Sequence, residues 1–81
     1  MTTTPADVES TVKDFLTSID KLPEGFTADT SLYADGAELD SLETAELSAT
    51  LEDVLGSDPY SAGEMPETLA QIQAFYAAAS A

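Results

Sequence analysis

Leu39-Asp40-Ser41-Leu42-Glu43-Thr44-Ala45-Glu46-Leu47-Ser48-Ala49-Thr50-Leu51-Glu52-Asp53 is the stretch whose period decides the fold. Leu47, Leu51 and Leu55 recur every four residues and line one stripe of an α-helix, while Glu43, Glu46, Glu52 and Asp53 fall on its other faces. Asp40 followed three residues later by Glu43 forms a capping box, in which Asp40 accepts from early backbone amides and Glu43 reaches back to the start of the helix. Gly56 supplies the glycine that commonly ends a helix. A helix beginning at Asp40 and ending at Gly56 follows.

Upstream, Thr4, Pro5 and Asp7 read as an N-cap, a proline at the first helical position and an acid suited to the positive end of the helix dipole. Val8, Val12, Phe15, Leu16 and Ile19 continue as one apolar stripe to about Asp20. Pro23, Gly25 and Gly36 break any period, so Lys21 to Leu39 is expected as a long loop anchored by Leu22, Phe26 and Leu32. Downstream, the turn-rich run Asp58 to Glu64 is expected to form one brief helix before Met65 and Pro66. Thr68 with Gln71 makes a second capping box, and Leu69, Ile72, Phe75 and Tyr76 extend a last helix to about Ala79. No segment alternates for long enough to argue a strand. The expected fold is all-α: a single domain over residues 1–81, a small four-helix bundle of three main helices and one short one.

Sixteen acidic residues against Lys13 and Lys21 give a net charge of −14. Charge of that size keeps a chain soluble and monomeric at a cost in self-repulsion, and it points to partners with basic surfaces. Nucleic acid and anionic membranes are excluded as partners, because both demand clustered Lys and Arg. No apolar run approaches the ~20 residues of a membrane span. The opening Met1 to Asp7 has neither the basic start nor the apolar run of a signal peptide, so a cytoplasmic protein is expected. The chain has no cysteine and no histidine. Thiolate metal sites are therefore absent, and a serine nucleophile lacks its usual base, so no catalytic residue is assigned. Asp35-Gly36 resembles the middle of an EF-hand loop, but that register puts Ser31, Tyr33 and Leu42 at ligand positions one, three and twelve, and no metal site is expected.

Ser41 falls at the amino end of the central helix, where unpaired N–H groups and the helix dipole favour a phosphate group. Serine is common at helix starts for its capping oxygen, yet Asp40 already fills that role. From Asp40 through Leu55 the pattern Asp-Ser-Leu-acid-Thr-x-Glu-Leu, then Leu-acid-acid, resembles the second helix of the acyl carrier proteins without a gap. The flanking helices are similar by period and cap, so the resemblance covers most of the chain. It implies the acyl-carrier-protein fold and a 4'-phosphopantetheine arm, taken from coenzyme A, on the Ser41 hydroxyl. Asp40 and Leu42 would flank that arm.

By the same resemblance Glu43, Glu46, Glu52 and Asp53 look like the acids that dock on Arg and Lys patches of partner enzymes. Ala45 and Ala49, with Leu42, look like the apolar part of the same face. The implied partners are a phosphopantetheinyl transferase, an acyl- or aminoacyl-loading enzyme, and downstream synthases or transferases. The implied role is a stand-alone, non-enzymatic carrier that shuttles acyl, aminoacyl or peptidyl thioesters in polyketide, nonribosomal peptide or fatty-acid-type biosynthesis. Two departures are visible. The family usually has glycine two residues before the aspartate, where this chain has Glu38, and Pro59 to Pro66 is richer in Gly, Pro and Tyr than the third helix of fatty-acid carriers. Both lean the reading towards specialised metabolism. The alternative from another class is an unmodified acidic helical module that binds a basic partner protein.

Overall fold

The computed structural model describes residues 3–33 and 36–80, with the side chains of residues 79 and 80 left aside. Three helices are found among them: α1 (Pro5–Ser18), α2 (Ser41–Leu55) and α3 (Leu69–Ser80). α1 packs against both α2 and α3. Its capping box is complete, with Thr4 Oγ1 accepting from Asp7 N and Asp7 Oδ2 accepting from Thr4 N, both at 3.1 Å. It ends at Ser18, two residues earlier than the apolar stripe predicts. Asp20 takes a left-handed φ of 58°, and Lys21 N donates to Leu16 O at 2.8 Å while Asp20 N donates to Thr17 O at 3.1 Å. That reversal is a Schellman-type close, here on an aspartate instead of the usual glycine.

Val8, Val12 and Leu16 of α1, Leu47 and Leu51 of α2, and Leu69 and Ile72 of α3 are almost completely removed from water. Phe15 and Tyr76 are buried beside them, and Leu55 is half-buried at the end of its stripe. The connection from α1 to α2 completes this core. Leu32 is fully buried in it, with Ala37 and Leu39, and Phe26 packs at its edge. Leu22 is a correction to the expected anchors: it is 41% exposed, and Ala37 and Leu39 do that work. The loop can dive inward because its backbone groups are paired. Leu32 N donates to Glu67 O at 2.8 Å, Leu39 N to Leu32 O at 3.0 Å and Ala70 N to Ala28 O at 2.9 Å. A single antiparallel bridge, Ser31 with Thr68, ties it to the start of α3, and no strand is formed among the described residues. Gly36 is required by close approach, since a Cβ there would fall 1.7 Å from Ser31 O.

The short fourth helix is not formed. Residues 59–63 make one turn, in which Ala62 N donates to Pro59 O, Gly63 N to Tyr60 O and Glu64 N to Pro59 O. Gly63 at φ 88° closes that turn, and Pro59 and Pro66 on either side withhold amide donors. The bundle therefore has three helices among the described residues. The cap of α3 also differs from expectation: Thr68 Oγ1 accepts from Gln71 N at 3.2 Å, but Gln71 Oε1 reaches one residue further back, to Glu67 N. No helix among the described residues is long and apolar enough to cross a membrane.

Candidate functional site

α2 begins where Asp40, in extended backbone, hands the chain to Ser41. Asp40 Oδ1 accepts from Glu43 N at 2.8 Å, and Glu43 Oε1 accepts from Asp40 N at 3.1 Å, so the predicted capping box is closed in both directions. Thr44 adds a third tie through its hydroxyl, which donates to Asp40 O at 2.9 Å. Ser41 is the first helical residue and is exposed. The first N–H groups of a helix have no partner inside it, and Asp40 serves that of Glu43. The hydroxyl of Ser41 thus stands at the positive end of the helix dipole, reachable from solvent, and the site suits an anionic group there.

Leu42 beside it is 68% exposed, an uncommon placement for leucine in the first turn of a helix that otherwise buries its leucines. Ala45, Glu46, Ala49, Glu52 and Asp53 are all exposed along the same helix, so α2 presents acids interrupted by small apolar surfaces. Glu43 stands apart from this group. Besides its part in the capping box, its Oε1 accepts from Lys21 Nζ at 2.6 Å, and its side chain is only 17% exposed. Glu43 holds the fold at the site, while Glu46, Glu52 and Asp53 remain turned to water.

Two residues that the sequence did not single out belong to this picture. Val54 is 59% exposed at the far end of α2 and extends the apolar component of its outer surface. Lys21 reaches across from the end of α1 to Glu43 and also donates to Glu38 O at 3.0 Å. Its hydrogen bond to Glu43 raises the Lys21 pKa above the ordinary lysine value. Partial desolvation opposes the rise, and the charges of Glu43, Asp40 and Glu38 add to it. The available signal for Lys21 was its rarity, one of two cations in the chain. Glu38 lies at φ 56°, the left-handed region that a glycine adopts without strain. Glu38 therefore stands at a position where a glycine would have a physical use.

Where the segment after α2 folds back on the middle of that helix, a second polar cluster is buried. Asp58 is 3% exposed, and its Oδ1 accepts from Ser48 Oγ at 2.8 Å and from Ser61 N at 2.9 Å. Its Oδ2 is buried without a protein partner among the described residues. Burial by itself would raise this carboxyl, but the hydrogen bonds from Ser61 and Ser48 prevail and hold it below the ordinary range. Tyr76 donates to Ser57 O alongside, and burial, with the charge of Asp58, pushes its phenol up to about 12. Tyr33 donates to Tyr60 Oη at 3.4 Å, and burial and this contact raise Tyr60 as well. A half-open groove of about 330 Å³ lies next to this segment, lined by Pro59, Met65, Pro66, Ala74 and Phe75 among others. Ser41 does not line it.

Among the described residues there is no group of three or more carboxylates, histidines or cysteines that could hold a metal ion. Asp35, which opened the EF-hand comparison, lies outside the described residues. No protein-family model matches the chain, and neither curated proteins nor solved structures include a match to it.

Proposed function

We propose that this protein is a phosphopantetheine-bearing carrier of the acyl carrier protein type, modified on Ser41 and docked through the acidic outer surface of α2. The observation that supports it most directly is Ser41 itself: an exposed hydroxyl, first in α2, next to a cap already supplied by Asp40. That placement leaves the serine with no structural task that its neighbour does not perform. In the proposed modification, the Ser41 oxygen forms a phosphodiester bond to the phosphopantetheinyl phosphorus of coenzyme A, and 3',5'-ADP leaves. The hydroxyl proton passes to a base on the transferase, since this chain has no histidine and Lys21 is engaged with Glu43.

The residues present fit the group. Helix-start amides and the dipole favour its phosphodiester charge, and Leu42 offers an exposed apolar contact beside it. When attached, the arm supplies a terminal thiol that holds cargo as a thioester. The chain's own contribution is positional: Asp40 and Glu43 keep the first turn of α2 formed, and Glu46, Glu52 and Asp53 offer negative charge to basic partners. Such docking is weak, fast and salt-sensitive, because exposed ion pairs are screened within about 10 Å. Delivery then depends on the effective concentration that a tether gives. The tyrosine- and proline-rich segment after α2, folded as turns around Asp58, supports a cargo other than the ordinary fatty-acyl chain and favours polyketide or nonribosomal peptide intermediates.

Intact-mass analysis after incubation with coenzyme A and a promiscuous transferase tests the reading. The wild type should gain one phosphopantetheinyl mass and Ser41→Ala none. If Ser41→Ala keeps full biological activity while Glu46→Lys with Glu52→Lys loses it, the protein is the unmodified acidic module instead.

A further inference from the structure

The segment that carries the chain into Ser41 turns on Glu38, a residue with a Cβ held at φ 56°. Such a conformation is strained for any L-residue but glycine and asparagine-like types, and it persists where surrounding contacts enforce it. Backbone bonds from Glu38 N to Tyr33 O and from Leu39 N to Leu32 O, both at 3.0 Å, hold this turn from the loop side, and one side chain ties it to α2. Lys21 Nζ donates to Glu38 O at 3.0 Å and to Glu43 Oε1 at 2.6 Å, and that same carboxylate oxygen accepts from Asp40 N at 3.1 Å. One ammonium therefore grips the chain on both sides of Ser41, before the cap and one turn into α2. Its own base is fixed, because the left-handed Asp20 and the bond from Lys21 N to Leu16 O set it on the end of α1. Among the described residues Lys13, the other cation, pairs with Glu9 one turn away on α1 and has no contact with the approach to Ser41.

We propose that Lys21 is a positioning residue for Ser41, fixing the approach through Glu38 and the first turn of α2 in the geometry that the modifying transferase engages. The inference rests on the reading of Ser41 as the modified residue. Lys21 touches neither the serine hydroxyl nor the group transferred to it; it acts through the Glu38 carbonyl and the Glu43 carboxylate. The left-handed Glu38 and the lysine act together: a glycine at position 38 would take the same turn without strain, and where glutamate stands Lys21 adds its bond to the backbone bonds that hold the turn.

Transfer from coenzyme A by a promiscuous transferase should be followed on the folded wild type, K21M, K21R, K13M and K21M/E38G. K21M and K13M carry the same net charge, so only position separates them. K21M should lose about tenfold in kcat/KM, the scale of a modest misplacement, and K13M nothing. K21R should keep most of the rate, and K21M/E38G should recover most of what K21M loses. Amide hydrogen exchange should quicken in K21M at residues 39–43 and stay unchanged in α3. Wild-type rates in K21M, or exchange that rises equally in α3 and at residues 39–43, would overturn the proposal. A wild type that takes no mass at all sinks the carrier reading itself; unchanged exchange at residues 39–43 in K21M would then also remove the positioning role.

Discussion

α2 is fastened to the neighbouring chain at its start and at its middle by opposite means. At the amino end a half-exposed ammonium, Lys21, spans Glu38 and Glu43; at the middle a buried carboxylate from beyond the helix, Asp58, gathers Ser48 and Ser61. Water reaches the first more readily than the second, since the Lys21 side chain is 33% exposed and Asp58 only 3%. An exposed ion pair is individually weak and screened by salt, whereas a dehydrated carboxylate must keep its donors or be expelled. The more deeply buried fastening thus lies away from Ser41, and the more accessible one lies beside it.

Breaking the buried fastening should have the larger effect. Asp58→Ala strands the Ser48 hydroxyl and the Ser61 amide, and should destabilise by about 2 kcal/mol, a fall of roughly 10 °C in melting midpoint for a domain of this size. The same carboxyl gives a pH signature. Its folded pKa is depressed, so its contribution is fully present above its unfolded value of about 3.9 and is lost as pH falls through the lower folded value. Urea midpoints of the wild type and Asp58→Asn should therefore converge below about pH 4; a gap that stays constant into acid would refute the assignment.

Smaller effects are expected at the amino end. Glu38→Gly relieves a left-handed residue and one surplus negative charge, partly offset by the entropy of glycine in the unfolded chain. Calorimetry should find it stabilising by under about 1 kcal/mol. Smallest is the response to salt. The difference in melting midpoint between the wild type and K21M should shrink between about 0.05 M and about 0.5 M sodium chloride, while both midpoints rise as the surplus charge is screened. A difference that survives high salt would mean Lys21 acts by packing and not by charge.

The parts that could be read from the chain were those whose partners lie within four residues. Thr4 with Asp7, Asp40 with Glu43, and Gly56 with its φ of 85° mark helix ends through bonds that close locally, and all three are found as expected. The failures share the opposite character. Leu22 and Leu39 are both loop leucines, and no local pattern says that the second is buried and the first is not; the path of the whole connection decides it. Gln71 misses Thr68 N and takes Glu67 N, because Glu67 is held in place by its carbonyl's bond to Leu32, far away in sequence. At the candidate site Ser41, Asp40 and Leu42 were legible as a motif. The capping role of Glu43 was legible too, but its bond to Lys21 was not, since that partner lies twenty-two residues away.

What the amino-acid order determined by itself was the three main helices, with bounds to within about two residues, the surplus of negative charge, and the serine at the head of the central helix. These depend on periodicity, caps and composition, all of them short-range or summed properties. Only the tertiary structure decided which residues of the long loop enter the core, that the segment after α2 stops at one turn, and that Lys21 and Asp58 fasten the start and the middle of α2. Those outcomes depend on which distant groups meet in space, and a bond between residues that far apart leaves no local trace.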